Sequence, residues 1–168
     1  LWGGSSIEVW TPREDIMAYT TSHPESQNLR VRTSEFGSKF ANMIAPMAPY
    51  TLRGFLWYQG ESNEGNAAQY GELLESMISD WREQFGDSEL PFYIVELASY
   101  LHSGRKGPEH GWNRVQAEQR RTAGKMRGTV LVPNSDLGEW NDIHPQDKKT
   151  LGERTAAAII KNNKTKTR

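Results

Sequence analysis

The chain has 168 residues, with 20 Lys and Arg against 21 Asp and Glu, and it contains no cysteine. Its length fits a single domain, residues 1–168, that is large enough to bury a core. The lack of cysteine excludes disulfides, thiol catalysis and thiolate metal sites, while the balanced charge and short apolar runs predict neither a nucleic-acid groove nor a membrane span.

The first 50 residues give weak structural signals. The stretch LWGGSSIEVW (1–10) is typical of a strand end that runs into a Gly-Gly turn, and residues 11–50 are irregular, with scattered Pro, Ser and Asn. Some helix is expected in SEFGSKFANMIAPM, interrupted by Pro46. The pattern becomes regular at LRGFLWYQ, an apolar run that predicts a strand covered on both faces.

The helix after this strand has the clearest pattern in the sequence. Asn66 is the predicted N-cap, and Gln69 is its expected partner in a variant of the capping box. Apolar residues then recur at helical spacing at positions 70, 73, 74, 77, 78, 81 and 85, and Gly86 marks the predicted end.

The rest of the chain continues the alternation of strands and helices. PFYIVELA (91–98) and GTVLVP (128–133) predict strands, GWNRVQAEQRRTAGK predicts a helix that ends near Gly124, and Pro145 predicts the first turn of a last helix. This order predicts an α/β fold with a parallel sheet and helices on both faces. Ligands of such sheets bind beyond the carboxyl ends of the strands, which here are QGESN, ELASYLHSG and NSDLGEWNDIHP.

One of these segments carries an acid–imidazole pair. Asp142 lies two residues before His144 in WNDIHP, and a carboxylate beside an imidazole can make the imidazole a general base. The alternative is a plain helix-start loop in which Asp142 caps the helix and His144 is a surface residue. From the pattern alone the two interpretations are about equally good.

The loop QGESN after the first strand has three possible roles. Ser62 could be a nucleophile, since a serine between a strand and a helix is where many hydrolases place one. Ser62 could instead only make turn hydrogen bonds, and the Gln59 amide could donate to an oxyanion. The four histidines show no zinc-binding spacing and no Walker motif occurs, so neither metal nor cofactor is predicted.

Four motifs together resemble a known family. WGGSSIEVW, NMIAPMAPYTLRGFLWYQGESN, DWREQFGDSELPFYIVELA and DLGEWNDIHPQDKKTLGERTA are similar, in order, to the sialate O-acetylesterases. This family belongs to the SGNH (GDSL-like) hydrolases and includes related acetylxylan esterases. The resemblance implies a flavodoxin-like α/β/α sandwich that removes acetyl groups from carbohydrate by a serine acyl-enzyme route without a metal. It also implies a secreted or periplasmic protein.

The resemblance assigns roles to five residues. It implies that the backbone N–H of Gly4 and the side-chain amide of Gln59 are oxyanion donors. It makes His144 the catalytic base with Asp142 as the acidic partner. It also implies that Ser62 supports its loop and is not the nucleophile.

The chain departs from the family pattern in three ways, the smallest of which is Ser5, where the family usually has threonine after Gly-Gly. The family's nucleophile lies in a GQSN- or GDS-type block ahead of WGG, and no such block follows Leu1. We therefore expect the chain to be the C-terminal part of the catalytic domain, completed by a separate N-terminal segment. Many SGNH enzymes also read D-x-x-H, whereas Asn141 stands at that spacing here, so Asp136 or Glu139 are alternative orienters of His144.

Two further hypotheses stay open from the sequence. The chain could be an active esterase with an internal nucleophile, Ser62 first and Ser5 or Ser6 next. It could also be a non-catalytic carbohydrate-binding module on an esterase-like scaffold. The aromatic candidates for a sugar cleft are Trp57, Trp112 and Trp140, of which Trp57 fits a core position better.

Overall fold

The computed structural model describes residues 3–24, 31–101 and 106–166, and its centre is a parallel three-stranded sheet. The strands are β1 (Phe55–Trp57), β2 (Phe92–Val95) and β3 (Thr129–Val132), in the order β1-β2-β3. Both pairs are parallel. All three strands predicted from the sequence are therefore confirmed, although each is shorter than its apolar run.

Four α-helices surround the sheet. They are α1 (Arg13–Ser22), α2 (Tyr70–Gln84), α3 (Gly111–Lys125) and α4 (Lys148–Lys166). Shorter 3-10 turns cover Ile7–Val9, Thr33–Glu35, Ala45–Met47 and Glu61–Gln69, and a π-helical turn covers Phe40–Ile44. None of the helices in the described part of the chain is long and apolar enough to cross a membrane.

The side chains of β2 alternate between two cores, as the pleat of a strand requires. Phe92 and Ile94 face the larger core, which also contains the apolar stripes of α2 and α3. Tyr93 and Val95 face a smaller core with Leu151 of α4. Helices thus cover both faces of the sheet, and the predicted α/β architecture with a parallel sheet is confirmed.

The edge strand β1 is covered on one face only. Phe55 packs against the larger core, while the next side chain, Leu56, leaves 56% of its surface exposed. In the described residues β1 pairs with β2 alone, so its other edge keeps free backbone groups. An apolar residue on an unpaired edge strand is a surface that a further segment can cover.

Four local predictions were wrong. The part of 1–10 that the structure describes forms a 3-10 turn instead of a strand end. Helix α1, missed from the sequence, has a weak apolar stripe with only Ile16 buried. Asn66 does not cap α2, which begins at Tyr70: the Asn66 Oδ1, the atom that would cap, accepts instead from Asn63 Nδ2 at 3.3 Å. Helix α4 begins at Lys148, where the Asp147 carboxylate caps the N–H of Thr150, and not at Pro145.

Candidate active site

A cavity of about 600 Å³ lies beyond the carboxyl end of β1. It contains His144, Gln59, Ser62 and Gly4, which the sequence had singled out from three distant segments. Its apolar wall includes Trp57, whose ring is buried in the core. The fold therefore brings together all the predicted site residues except Asp142, which lies beside His144 and outside the cavity lining.

The first wall of the cavity is the turn that contains Gly4. Gly4 has φ +64°, a left-handed conformation that glycine adopts at little cost. The next residues enter the 3-10 turn Ile7–Val9, and Ser5 Oγ accepts a hydrogen bond from the Trp10 indole N–H at 2.8 Å. The left-handed backbone at Gly4 lies within the cavity lining, together with Gly3 and Ser5.

The second wall is the segment that follows β1. Gly60 has φ +151°, which lets the chain leave the strand and enter the 3-10 turn Glu61–Gln69 at once. Gln59, the residue before this bend, is 7% exposed. Its Nε2 donates to the Ser5 carbonyl at 3.0 Å and to Asn63 Oδ1 at 2.8 Å. Both amide hydrogens are thus in use, so donation to an oxyanion requires the exchange of one of these bonds.

Ser62 lies in the first turn after this bend. It lines the cavity together with His144. Among the residues that the structure describes, no hydrogen bond joins Ser62 Oγ to the His144 ring. Ser62 lies in the same cavity as the candidate base, but it lacks the hydrogen bond to a base that activates a nucleophilic serine.

The loop after β3 carries His144, and its start is held by a buried carboxylate at the end of β2. Glu96 is buried and pairs with Arg120 of α3. Its Oε2 accepts the backbone N–H groups of Asn134 at 3.2 Å and Ser135 at 3.3 Å. This contact ties the carboxyl ends of β2 and β3 together and directs the following loop over the sheet.

Asp142 organises the backbone around His144. Its Oδ1 accepts the His144 N–H at 2.8 Å and lies 3.7 Å from the ring Nδ1, and Oδ2 accepts from Gln146 Nε2 at 2.7 Å. The distance to Nδ1 exceeds that of a hydrogen bond. These two donors, the His144 N–H first, hold the pKa of Asp142 below its ordinary value. The His144 side chain is 87% exposed, so the ring can rotate toward the carboxylate.

The two alternative orienters are engaged elsewhere. Asp136 forms a bidentate pair with Arg154 at 2.6 and 2.7 Å, which lowers the pKa of Asp136 to about 2. Both oxygens of Glu139 lie 3.2 Å from the backbone N of Gln146. Asp142 is left as the carboxylate nearest to the His144 ring among these three.

Glu61 is a cavity residue that the sequence analysis missed. Burial raises the pKa of its carboxyl, while its own and Gly60's backbone N–H groups and the charges of His144 and Lys148 lower it in part. Glu61 and His144 both line the cavity. The signal was available, because an acidic side chain directly after a strand of a parallel sheet points to the ligand-binding edge.

The remaining aromatic candidates lie outside this cavity. Trp112 is buried in α3 and donates its indole N–H to the Ala98 carbonyl at 2.8 Å. Trp140 is 62% exposed on the loop before His144. The described residues contain no group of three or more His, Cys, Asp or Glu side chains that could hold a metal ion.

Comparisons with known proteins identify relatives of this chain. The chain matches, over residues 2–161, the model of a family described as carbohydrate esterase, sialic acid-specific acetylesterase. A sialate O-acetylesterase of Homo sapiens is 32% identical over 174 residues, which cover 91% of this chain and 32% of that protein. The Mus musculus sialate O-acetylesterase is 30% identical over 196 residues, with shares of 91% and 36%.

A solved structure gives the same result in three dimensions. A carbohydrate acetylesterase from Xanthomonas citri superposes with a TM-score of 0.75 at 33% identity. The match covers 94% of this chain and 34% of the other. The chain thus spans about a third of the length of the relatives that it matches.

Proposed function

The chain belongs to the SASA family of carbohydrate esterases, and we propose that it forms the base and oxyanion side of an active site that hydrolyses O-acetyl esters on carbohydrate. The substrate class is an O-acetylated sugar, such as an acetylated sialic acid or an acetylated plant glycan. The observation that carries the proposal is the shared cavity, in which His144 meets the Gly4 turn and Gln59.

The chemistry is that of a serine acyl-enzyme. A serine Oγ attacks the acetyl carbonyl carbon while His144 Nε2 takes the hydroxyl proton. The oxyanion that forms is stabilised by the Gly4 N–H and by the Gln59 amide once that amide exchanges one of its two present acceptors. His144 then gives the proton to the departing sugar oxygen. It later takes a proton from the water that attacks the acetyl-enzyme and returns it to the serine Oγ as acetate is released.

Asp142 orients the base in this scheme. Its carboxylate already fixes the backbone of His144, and a rotation of the exposed ring shortens the 3.7 Å separation between Oδ1 and Nδ1. With Nδ1 held in this way, Nε2 is the nitrogen that faces the reacting serine. Glu61 lines the same cavity and would favour the imidazolium only in its ionised form, which burial disfavours by raising the pKa of the carboxyl.

The nucleophile, in this proposal, is a serine on a segment outside the described residues. Two features support it. Ser62 makes no hydrogen bond with His144 among the residues described here, and the edge of β1 next to the cavity is unpaired, with Leu56 exposed. A strand that paired with β1 would cover Leu56 and would end near the cavity, as parallel strands end at one edge of a sheet. Ser62 remains the internal alternative.

Acetate release from O-acetylated sialic acid and from acetylated xylan tests the proposal, with the complete gene product as the enzyme. We expect His144→Ala to abolish turnover without unfolding the protein, since the general base is lost. The matched control is His23→Ala, because His23 stacks on Tyr19 at the end of α1 and contacts no cavity residue named above. Full activity of His144→Ala would remove this residue from the mechanism.

A fluorophosphonate probe followed by peptide mapping locates the serine. Label on a residue outside this chain supports the proposed nucleophile, and label on Ser62 assigns that role to the loop after β1. Sugar binding without hydrolysis or labelling would replace the esterase by a carbohydrate-binding module. Secretion or export to the periplasm stays a prediction from the resemblance.

A further inference from the structure

A buried carboxylate lies behind the cavity and has no role in the mechanism above. Glu8, in the 3-10 turn Ile7–Val9, is 0% exposed. Its Oε2 accepts from Asn63 Nδ2 at 3.0 Å, and its Oε1 accepts from Asn66 Nδ2 at 2.7 Å and from Gln69 Nε2 at 2.9 Å. Three side-chain amides therefore converge on one carboxylate.

The partners of Glu8 are unusual for a buried acid. A carboxylate away from water is ordinarily paired with a cation, but within the described ranges no ion pair is found for Glu8. A carboxylate has only acceptor oxygens, and the three amide N–H donors satisfy them in place of a cation. The donors Asn63, Asn66 and Gln69 all belong to the segment Glu61–Gln69, which is kinked at Asn66 (φ −134°, ψ 37°).

A series of hydrogen bonds connects Glu8 to the cavity through Asn63. While Asn63 Nδ2 donates to Glu8, its Oδ1 accepts the Ile7 N–H at 2.9 Å and Gln59 Nε2 at 2.8 Å. Gln59 Nε2 in turn donates to the Ser5 carbonyl at 3.0 Å. The chain of hydrogen bonds thus joins the Gly4 turn to the segment after β1, which lie more than 50 residues apart in the sequence.

We propose that Glu8 is a positioning residue for the oxyanion pocket. Its charge fixes the Asn63 amide, and Asn63 then sets where Gln59 and the turn after Gly4 lie relative to His144. Glu8 itself touches neither substrate nor reacting atoms. This inference rests on the proposed esterase function, and it adds a residue that acts through two others.

The first test is Glu8→Gln in the complete gene product. The substituted side chain would offer a single oxygen to three amide donors, and its own NH₂ would face another NH₂. We expect kcat to fall about 10²-fold, the effect of a misplacement of about 1 Å at a reacting centre, while KM stays within about threefold. The control is Glu75→Gln, since Glu75 pairs with Arg121 and Lys125 on the α2–α3 face.

The second test separates positioning from plain folding support. The double variant Glu8→Gln with Gln69→Glu keeps one carboxylate and one amide at these two positions. The carboxylate is now at position 69, so Asn63 no longer donates to a charged group at position 8. We expect its melting temperature to recover toward that of the unmodified protein while kcat stays low. Recovery of kcat together with the melting temperature would mean that Glu8 only supports folding, and it would overturn the proposal.

A third readout does not depend on esterase activity. Side-chain amide NMR signals report the Gln59 environment directly, and no hydrogen bond joins Gln59 to Glu8 among the described residues. We expect Glu8→Gln to shift the NH₂ signals of both Asn63 and Gln59. If the unmodified protein hydrolyses no ester but these signals shift, the proposed function fails and the positional coupling stands. Unchanged Gln59 signals would overturn the coupling itself.

Discussion

Replacing Gly60 with alanine tests the bend that carries Gln59 and Ser62 into the cavity. Two costs arise from the structure. At φ +151° a side chain is strained by about 1–3 kcal/mol. The added Cβ would also lie 2.7 Å from Val115 Cγ1 and 3.1 Å from Leu97 Cδ1, in a core where overpacking costs about 1–3 kcal/mol. We expect Gly60→Ala to destabilise the fold by about 2–6 kcal/mol, a large share of a typical stability of about 5–15 kcal/mol.

Thermal unfolding measures this loss. For a chain of this size we expect the melting temperature to fall by about 4–24 °C. The matched control is Gly124→Ala in α3, where an added Cβ meets nothing within 4 Å and alanine favours the helix by about 0.5–1 kcal/mol. That variant should melt slightly higher than the unmodified protein. If Gly60→Ala unfolded within about 2 °C of the unmodified protein, the reasoning from φ and packing would be refuted.

Three further predictions concern single side chains. Gln59→Ala should lower kcat for ester hydrolysis by about 10²–10³-fold if the amide is an oxyanion donor, and a loss below threefold in steady-state kinetics would exclude that role. Asp142→Asn should lower kcat strongly. Asp136→Asn should not, because the Asp136 carboxylate is engaged by an arginine of α4. Equal losses of kcat in the two variants would contradict the assignment of Asp142. Burial and the neighbouring Asp15 carboxyl raise the pKa of Asp80 from 3.8 to about 8, so this group's contribution to stability is present at low pH and is lost as the pH rises toward 8. Asp80→Asn should therefore raise the melting temperature more at pH 9 than at pH 5, and an equal change at both pH values would count against the shift.

The fold was predictable wherever burial imposes a regular pattern. The apolar stripe from Tyr70 onward and the apolar runs of the three strands each reflect contact with a core, and these elements lie where the pattern places them. Helix α1 has a single buried residue, Ile16, so it leaves no stripe to detect. The apparent capping box at Asn66 failed because the Asn66 Oδ1 accepts from Asn63 Nδ2 and the Gln69 amide donates to a distant carboxylate, Glu8. Local rules fail where a long-range partner competes for the capping group.

The candidate site was predictable in its residue types but less so in its contacts. The rule that ligands bind at the carboxyl ends of parallel strands pointed to both QGESN and WNDIHP, and the cavity does contain Gln59, Ser62 and His144. Spacing cannot reveal that both amide hydrogens of Gln59 are engaged, because their acceptors are the Ser5 carbonyl and the Asn63 side chain. Such partners are set by the tertiary fold.

The engaged amide of Gln59 has a consequence for the order of events in catalysis. An amide that already donates to two acceptors gains little by changing one neutral acceptor for another, but a charged oxyanion accepts hydrogen bonds about twice as strongly. Exchange of the Ser5 carbonyl for the oxyanion is therefore favoured only as negative charge develops. Donation would then be strongest in the transition state and weak toward the bound ester, which is the property that raises kcat instead of ground-state affinity. Gln59→Ala should accordingly change kcat and leave KM nearly unaltered, and a rise in KM with constant kcat would mean that Gln59 binds the ester in its ground state.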